Sequence, residues 1–550
     1  MSVYDERPWL ARYDAGQPHD IEPEFANALE MFAASVRAAP DRPAVKYFDG
    51  VLSRSELDEL SDAFACGLLD RGIRRGDRVA LFLQNVPQFL VALLGTWKAG
   101  CVAVAINPMN KQRELSLLLR DSGARALVCL ESLHGPVAGP VLGETDVELV
   151  MTTSELEHQS RDDPRVLGDV RRIRCEGAED MSALIERFRG RRPPAVELGP
   201  DDVAVLTYTS GTTGPPKGAM NTHRNLVFNA RAVRDWVGIG ESDVVFGVAP
   251  LFHITGMVAH AALALLTTAP LVLFCRFEPN AAVDLIREHR PTFTIGSITV
   301  FIALMNAPEA TSADLSSLTR VYSGGAPIPP STTRAFQERF GHYIHNIYGL
   351  TETTAPTHAV PLHGEAPVDP ESGALSIGVP MYSTVARIVG DDGADLPAGR
   401  IGEVVVRGPQ VVAGYWNKPE ETAGALPGGW LHTGDVGYMD HVGWFYLVDR
   451  KKDQINTGGY KVWPREVEDV LYEHEAVREA AVVGVPDEYR GEMVKGFVSL
   501  RPGLTASPEE LVDFCRRRMA AYKYPRQVEV LEELPKTATG KLLRRQLRAR

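Results

Sequence analysis

The feature that most constrains the fold is a regular alternation of apolar strand and helix patterns. Residues 78–83 have the pattern of a buried strand, residues 86–98 that of a helix, and residues 101–106 that of a second strand. Two strands joined through one helix lie parallel in a sheet, with the helix packed on one face. The pattern therefore predicts an α/β fold.

The alternation extends over most of the chain before the pattern changes. A helix that begins after Ser53, which matches a capping box with Glu56, ends near Gly72. Similar alternation continues to about residue 345. Beyond residue 376, short strand patterns at residues 385–389 and 403–407 lie between Gly, Asp and Pro turns and indicate a smaller β-rich unit.

A last unit begins near residue 449. It has helix patterns at residues 464–473 and 508–519 and strand patterns at residues 480–485 and 494–500. A chain of 550 residues is expected to form more than one core. We therefore predict a large N-terminal domain of packed α/β sheets plus a β-rich subdomain over residues 1–448, and a small mobile α+β domain over residues 449–550.

Composition excludes several classes of protein. The net charge of −13 disfavours nucleic-acid partners, because phosphate-binding surfaces are usually basic. The six cysteines form no Cys-x-x-Cys pair, which favours reduced thiols over disulfides or a zinc site. Residues 1–20 lack a signal-peptide core, and the apolar stretch at residues 256–274 is too interrupted for a transmembrane segment. We expect a cytoplasmic protein in which that stretch forms a buried helix followed by a buried strand.

Residues 208–218 concentrate hydroxyl groups and glycines around one lysine, directly after a predicted strand. Turned backbone amides form an anion nest, glycines allow close approach, and the lysine adds a point charge. The loop is not a Walker A motif, because Gly218 follows the lysine where that motif has Ser or Thr. The predicted phosphate-binding residues are Thr209, Ser210, Gly211, Thr212, Thr213, Gly214 and Lys217.

This loop resembles the phosphate-binding signature of the adenylate-forming superfamily, which includes acyl-CoA synthetases, nonribosomal peptide adenylation domains and luciferases. Tyr348-Gly349-Leu350-Thr351-Glu352 is similar to the superfamily's second nucleotide motif. The resemblance implies that Tyr348 stacks on adenine, with Gly349 beside it, and that Thr351 binds the α-phosphate. Glu352 would hold Mg²⁺ with help from Thr209, since Mg²⁺ prefers hard oxygen ligands.

Two further motifs complete the nucleotide site by resemblance. Residues 323–327 resemble the loop that lines the adenine and acyl pockets, which assigns Gly325, Ala326 and Pro327 to this site. Residues 430–435 resemble the ribose motif, in which Asp435 would accept hydrogen bonds from the ribose diol.

The remaining motifs fall at the predicted domain boundary and beyond it. By resemblance, Arg450 contacts the nucleotide and Lys452 occupies the hinge position. Gly458 and Gly459 would line the pantetheine channel, and Lys541 matches the catalytic lysine.

The resemblance implies two half-reactions with ATP, Mg²⁺ and coenzyme A. First, a substrate carboxylate attacks the α-phosphate of ATP and forms an acyl-adenylate and pyrophosphate. Lys541, Arg450, Lys217 and Mg²⁺ would supply the positive charge that lets the two anions meet. The small domain then rotates about its hinge, and the thiol of coenzyme A attacks the acyl carbonyl.

The acid is expected to be hydrophobic. Phe252-His253 resembles the gate motif of the acyl pocket, and apolar segments lie at residues 254–257 and 295–300. Acetate-specific members of the superfamily carry Trp where this chain has Gly349, so an open pocket for a medium- or long-chain fatty acid or an aryl acid is implied. An amino acid is disfavoured, because adenylation domains usually place an Asp soon after the position of His253, and here Ile254 and Thr255 follow.

Several alternatives stay open at this point. They are an aryl-acid–CoA ligase, a fatty-acyl-AMP ligase that loads a carrier protein, a luciferase-like oxygenase and a nucleotide-binding protein without catalysis. The absence of an obvious insertion between Glu352 and Asp435 favours coenzyme A, and the combination of Lys217, Glu352 and Lys541 favours catalysis. The identity of the acid and the oligomeric state, a homodimer included, stay open.

Overall fold

The structure, a computed structural model, describes residues 2–209, 215–370, 373–450, 453–457, 460–487, 491–537 and 542–548. The described residues form four β-sheets with helices on their faces. The strands are β1 (Pro43–Tyr47), β2 (Gly50–Ser53), β3 (Arg78–Phe82), β4 (Val102–Ala105), β5 (Ala124–Leu130), β6 (Leu149–Thr153), β7 (Glu179–Asp180), β8 (Val203–Tyr208), β9 (Gly218–Thr222), β10 (Val245–Phe246), β11 (Leu271–Leu273), β12 (Phe293–Gly296), β13 (Arg320–Gly324), β14 (Ile344–Leu350), β15 (Ala355–Ala359), β16 (Val379–Pro380), β17 (Val385–Val389), β18 (Gly402–Arg407), β19 (Leu431–Met439), β20 (Phe445–Arg450), β21 (Ile455–Thr457), β22 (Tyr460–Val462), β23 (Val477–Asp487), β24 (Gly491–Leu500) and β25 (Gln527–Val530).

Helices connect these strands. The longer ones and the last helix of the described chain are α1 (Ala28–Ala38), α2 (Arg54–Asp70), α3 (Pro87–Lys98), α4 (Gln112–Ser122), α5 (Met181–Phe188), α6 (His223–Val237), α7 (Pro279–His289), α8 (Ile298–Asn306), α9 (Pro330–Phe340), α10 (Pro419–Ala425), α11 (Pro464–Tyr472), α12 (Pro508–Arg516) and α13 (Arg544–Arg548). Helix α2 begins with the predicted capping box of Ser53 and Glu56, and Gly72 follows its end with a φ of 83°.

The first large sheet has the strand order β7-β6-β5-β3-β4-β8-β9. Its strands are parallel apart from the last pair, β8 and β9, which is antiparallel. The predicted unit of strand, helix and strand is therefore confirmed as β3, α3 and β4. Helix α3 is buried almost all round, as expected for a helix covered by the sheet on one side and by further helices on the other.

The second large sheet has the order β16-β15-β14-β13-β12-β10-β11-β1-β2. Strands β14, β13, β12 and β10 are neighbours and run parallel. Strand β15 returns antiparallel to β14 and covers its outer side. The sheet therefore brings the carboxyl ends of four parallel strands to one edge.

Two smaller sheets follow. Strands β17, β18, β19 and β20 form an antiparallel sheet, which agrees with the predicted β-rich unit. Strands β22, β21, β24 and β23, with β25 on β24, form the C-terminal sheet, and α11 and α12 pack on it with their own apolar cluster. The α/β class is confirmed, whereas the domain boundary between residues 448 and 449 stays a prediction.

The apolar stretch at residues 256–274 folds as predicted. The chain is helical from Ile254–Gly256 through Met257–Ala262 to Leu263–Leu266, and then forms β11. No helix in the described part of the chain is long and apolar enough to cross a membrane.

Candidate active site

The predicted site segments follow four neighbouring parallel strands. His253 follows β10, the apolar segment at residues 297–300 follows β12, and Gly325 follows β13. Tyr348 lies near the end of β14, and Glu352 lies in the turn after it. Ligands of α/β sheets bind at the carboxyl ends of such strands. The fold therefore collects four separate sequence motifs at one edge of the sheet.

The candidate adenine and ribose residues are joined by a hydrogen bond. The hydroxyl of Tyr348 donates to Oδ2 of Asp435 at 2.7 Å. Asp435 lies on β19 and is 5% exposed, and its backbone N–H donates to Oγ1 of Thr433. Arg450 on β20 is its backbone partner across the ladder. The β-rich sheet thus brings the Asp435 side chain and the Arg450 backbone to the end of β14.

The candidate metal ligand and the loop lysine contact the same tyrosine, one at its hydroxyl and the other at its ring face. The hydroxyl of Tyr415 donates to Oε1 of Glu352 at 2.7 Å. The ammonium group of Lys217 lies 4.8 Å from the centre of the Tyr415 ring. Burial, followed by the negative charge of Glu352, raises the pKa of Tyr415, so the phenol keeps its proton and acts as the donor. Glu352 and Lys217 therefore both contact the side chain of Tyr415.

The two ends of the phosphate loop are paired. The N–H of Thr209 donates to the carbonyl of Lys217 at 3.0 Å, and the N–H of Lys217 donates to Oγ1 of Thr209 at 3.2 Å. The loop therefore leaves and returns to the hairpin of β8 and β9 at one point. Ser210, Gly211, Thr212, Thr213 and Gly214 lie outside the described residues, and their phosphate-binding role stays a prediction.

Strand β9 is tied to the turn that holds Thr351 and Glu352. The amide of Asn221 donates to the carbonyl of Thr351 at 3.2 Å and to Oγ1 of Thr354 at 2.9 Å. Asn221 is fully buried. A buried amide with two such bonds fixes the relative position of the two sheets at the site.

The segment at residues 412–416 closes the same junction. The N–H of Met220 donates to Gly414, and the N–H of Trp416 donates to Gly218, at 2.9 and 2.8 Å. The segment therefore runs along the outer side of β9 and carries Tyr415 into the site.

Glycines at the strand ends are required by close packing. A Cβ atom on Gly324 would lie 2.4 Å from the carbonyl oxygen of Ile347, and Gly325 has a φ of +80°. A Cβ atom on Gly349 would lie 2.1 Å from the carbonyl oxygen of Ala355 on β15. The sequence interpretation gave Gly349 the role of leaving the acyl pocket open. In the structure its missing side chain also makes room for the backbone of β15, and the open acyl pocket stays a prediction.

His253 lies at the start of a short helix beside the same edge. It precedes Ile254–Gly256, its Nδ1 accepts a hydrogen bond from the N–H of Thr255 at 3.4 Å, and the side chain is half-buried. The short helix packs against β15. Met257 and Ile295, from the two predicted apolar segments, are both buried. His253 therefore borders an apolar region next to β14.

Several predicted residues cannot be placed in the site. The side chain of Arg450 and the whole of Lys452, Gly458, Gly459 and Lys541 lie outside the described part of the chain. Their roles in charge stabilisation, hinge rotation, the thiol channel and adenylation stay predictions. Ala326 and Pro327 follow Gly325 in the turn before α9, with Ala326 half-buried and Pro327 exposed.

Sequence reasoning missed Tyr415 and Asn221. Tyr415 occurs in a Gly-Tyr-Trp sequence that follows no periodic pattern, and Asn221 is an isolated polar residue inside a strand. A buried polar side chain within an apolar strand is the signal that would have marked Asn221. Nothing local marks Tyr415.

Two other groups offer no competing chemistry. All six cysteines are free, and burial raises the pKa of Cys101 and of Cys515 to about 12, which disfavours a thiolate nucleophile. Glu131, Glu157 and Asp180 surround the guanidinium group of Arg172 at 3.0–3.2 Å, so their charges already have a cation.

The donor set at Glu352 suits Mg²⁺. One carboxylate oxygen is held by Tyr415, and the side chain is half-exposed. Within the described residues Oε2 has no hydrogen bond. Mg²⁺ is usually bound through one or two carboxylates together with substrate phosphates, and Lys217 marks where the phosphates are expected.

Comparison with known proteins finds matching families and relatives along most of the chain. Residues 32–416 match the family described as AMP-binding enzyme, and residues 466–541 match the AMP-binding enzyme C-terminal domain. The long-chain-fatty-acid–CoA ligase of Bacillus subtilis (strain 168) is 38% identical over 99% of this chain and 98% of its own length. The feruloyl-CoA synthase of an Amycolatopsis species is 36% identical over 94% of this chain and 97% of its own length.

Solved structures agree. The anthranilate CoA ligase AuaEII in complex with anthranoyl-AMP superposes with a TM-score of 0.86 at 28% identity, covering 97% of this chain and 98% of that one. A benzoate CoA ligase from Burkholderia xenovorans LB400 gives a TM-score of 0.83 at 27% identity, covering 95% of this chain and all of that one.

Proposed function

This chain belongs to the AMP-binding enzyme family, and on that premise we propose that it is an acyl-CoA synthetase for a hydrophobic carboxylic acid. It uses ATP to convert the acid into an acyl-adenylate and pyrophosphate. It then transfers the acyl group to coenzyme A and releases AMP. A medium- or long-chain fatty acid is the substrate class we favour.

The observation that carries this proposal is the meeting of two tyrosine–carboxylate pairs at the end of β14. Tyr348 with Asp435 offers an aromatic face and a carboxylate, which suit an adenine ring and a ribose diol. Glu352, next to Tyr415 and Lys217, offers a metal ligand and a cation, which suit a triphosphate. One edge of the sheet can thus hold the whole of ATP.

In the first half-reaction an oxygen of the substrate carboxylate attacks the α-phosphorus, and the bond to the β-phosphate oxygen breaks. Thr351 and Lys217 bind the phosphates, and Lys541 and Arg450 add positive charge as two anions approach. Mg²⁺, when bound through Glu352 and Thr209, neutralises triphosphate charge. The chain supplies no nucleophile in this step, so its contribution is positioning and electrostatic stabilisation.

In the second half-reaction the sulfur of coenzyme A attacks the acyl carbonyl, the thiol loses its proton, and the bond to the AMP oxygen breaks. We assign residues 449–550 to a domain that rotates about Lys452 between the two steps. The rotation withdraws Lys541 and brings Gly458 and Gly459 to the thiol channel.

The acid-binding region supports a hydrophobic substrate. His253 and residues 254–257 follow β10, and residues 295–300 include the end of β12 and the segment after it, with Met257 and Ile295 buried. Curated relatives along the whole chain are long-chain-fatty-acid–CoA ligases. Aryl acids are the second candidate, because a feruloyl-CoA synthase and two aryl-acid ligase structures are similar to this chain.

The test is exchange of labelled pyrophosphate into ATP across fatty acids of short, medium and long chain and across benzoate, anthranilate and ferulate. We expect exchange with fatty acids of medium or long chain, followed by thioester formation when coenzyme A is added. Strong exchange with aryl acids alone would select the second candidate. Thioester formation on a phosphopantetheinyl carrier protein but not on coenzyme A would assign the chain to carrier loading.

An absence of exchange with every carboxylate would contradict the proposal.

Two further predictions belong to the proposed function. A cytoplasmic location is supported by the six free cysteines and is checked by cell fractionation. A homodimer is checked by analytical ultracentrifugation.

A further inference from the structure

Tyr415 connects the two oppositely charged groups of the candidate triphosphate site. Its hydroxyl binds Oε1 of Glu352 at 2.7 Å, and its ring face lies 4.8 Å from Nζ of Lys217. The side chain is 7% exposed. A single buried residue therefore contacts both the candidate metal ligand and the candidate phosphate ligand.

The backbone of Tyr415 is fixed independently of these contacts. It forms a bridge with Ala219 on β9, and its N–H donates to Oγ1 of Thr422 at 2.9 Å. Its neighbour Trp416 donates to Gly218, directly after the loop lysine. Because the anchor is attached to the strand that leaves the phosphate loop, the ring keeps a constant position relative to Lys217.

Lys217 and Glu352 do not pair directly. Among the described residues, no ion pair involves Lys217, and the only hydrogen bond of the Glu352 side chain is the one it accepts from Tyr415. A lysine and a glutamate that met in a half-buried site would neutralise each other, and each would then be less available to ATP and Mg²⁺. A ring face attracts an ammonium group more weakly than a carboxylate does, so the lysine stays available.

We propose that Tyr415 is a positioning residue for metal-bound ATP: it holds the Glu352 carboxylate toward the metal and keeps Lys217 from pairing with it. The hydrogen bond occupies one carboxylate oxygen and leaves the other without a hydrogen bond to the described residues. The ring gives Lys217 a resting place until phosphates arrive. The site is thus preorganised, and its charged groups need little rearrangement when nucleotide binds. This inference rests on the proposed use of ATP.

The main experiment measures Mn²⁺ binding to the full-length chain by electron paramagnetic resonance, in the presence of α,β-methylene ATP, which cannot be cleaved at the reacting bond. Tyr415→Phe keeps the ring and removes the hydroxyl. We expect Mn²⁺ affinity in this complex to fall about tenfold, as for the loss of one hydrogen bond to a charged group. Affinity for the metal-free analogue should change less than about twofold, because the variant keeps the ring that faces Lys217 and loses only the hydroxyl that binds the metal ligand.

A double-mutant cycle with Glu352→Gln separates positioning from a structural role. If Tyr415 acts through Glu352, Tyr415→Phe should have little further effect on Mn²⁺ affinity in the Glu352→Gln background. Tyr47→Phe is the matched control, because its hydroxyl donates to the carbonyl of Glu155 at 2.9 Å in a buried location outside the site. That variant should bind Mn²⁺ like the unmodified chain, and a thermal unfolding midpoint reports any loss of folding in each variant.

The outcomes are distinct. If the unmodified chain binds Mn²⁺ and the analogue together and Tyr415→Phe binds them equally well, the positioning role is wrong. Additive effects in the cycle, or equal losses of metal-free and metal-bound analogue, would also overturn it. If the unmodified chain binds no nucleotide analogue at all, the proposed function itself fails.

Discussion

The chain up to residue 448 and the C-terminal unit, defined here as residues 453–548, hold their functional residues by different interactions. In the first region one large apolar cluster contains residues from Tyr4 to Phe445, and two smaller clusters accompany it. In the C-terminal unit two smaller apolar clusters flank one sheet. There, Asp453, Glu468, Arg544 and Arg548 form an acid–arginine cluster that joins the ends of the unit.

The acid–arginine cluster links the two segments with predicted mechanical roles. Asp453 follows the predicted hinge residue Lys452, and Arg544 follows the predicted catalytic Lys541 by three positions. Glu468 accepts from Arg544 at 2.7 Å and from the N–H of Val482 at 2.7 Å. The difference indicates that the candidate ligand-binding residues of the first region are held by packed strand ends, whereas residues 544–548 are attached to the C-terminal unit by partly buried ion pairs together with the buried Leu547.

The largest expected effect is that a substitution in the C-terminal unit impairs one half-reaction, whereas a substitution in the first region impairs both. We predict that Lys541→Ala lowers adenylate formation on the order of 1,000-fold, because in the proposed mechanism this lysine supplies positive charge to the reacting phosphate. Thioester formation from supplied acyl-adenylate should be retained. Asp435→Ala, in the first region, should weaken both half-reactions because both substrates contain ribose. Pyrophosphate exchange and thioester assays measure the two steps.

Lys495→Ala is the matched control for that lysine. Lys495 lies in the C-terminal unit, pairs with Glu529 at 2.9 Å and belongs to none of the candidate site motifs. It should leave both half-reactions unchanged. Equal loss of both steps in Lys541→Ala would contradict the assigned division.

A second prediction concerns the ion pairs that attach residues 544–548 to the C-terminal unit. Arg544→Met should destabilise the C-terminal unit by about 3 kcal/mol, because it removes a cation from the buried Glu468 carboxylate. Hydrogen exchange of the full-length chain should become faster in α11 and in the peptide that contains residues 544–548. Exchange in β12, β13 and β14 should not change.

Arg516→Met gives the comparison for this substitution. Arg516 pairs with Asp513 three residues earlier on α12, and both side chains are about half-exposed, so the change should cost about 0.5 kcal/mol or less. A uniform rise in exchange across the whole chain, or none in α11, would show that the cluster does not hold the unit.

The smallest effect is a pH dependence that belongs to the first region. Burial lowers the pKa of His223 and of His260 to about 4 and that of His358 to about 3. The unfolded chain binds protons at these residues below about pH 6.5, whereas the folded chain does not. The contribution of these three histidines to the free energy of unfolding is therefore complete above about pH 6.5 and is lost as the pH falls toward about 4.

Urea unfolding at several pH values, followed by tryptophan fluorescence, measures this loss. Six of the seven tryptophans lie before residue 449, so the signal reports mainly the first region. We expect His358→Asn to remove about 1.4 kcal/mol per pH unit from the slope between about pH 6.5 and about pH 4. An unchanged slope would mean that His358 already carries its proton in the folded chain.

The regular elements of the fold could be predicted because their patterns are local. The periodic apolar residues of α3, and the capping box before α2, marked these helices within one or two residues of their observed bounds. The nucleotide residues could be assigned only by resemblance, since Tyr348 and its partner Asp435 are 87 residues apart.

The contacts of Tyr415 and Gly349 could not be predicted in this way. Tyr415 meets Glu352 from 63 residues away, through a segment whose path along β9 has no periodic signature. The role of Gly349 depends on how closely the backbone of β15 approaches it. That distance is set by the packing of the sheet, so the sequence around Gly349 does not reveal it.

The path of residues 412–416 along β9 also affects how the protein behaves among its own copies. Strand β9 is the last strand of the first large sheet, and a bare edge strand invites pairing with strands of other molecules. Here Gly414 and Trp416 occupy its outward hydrogen-bonding groups. The segment that delivers Tyr415 therefore also caps this edge, so that the strand which follows the phosphate loop is protected from pairing with strands of other molecules.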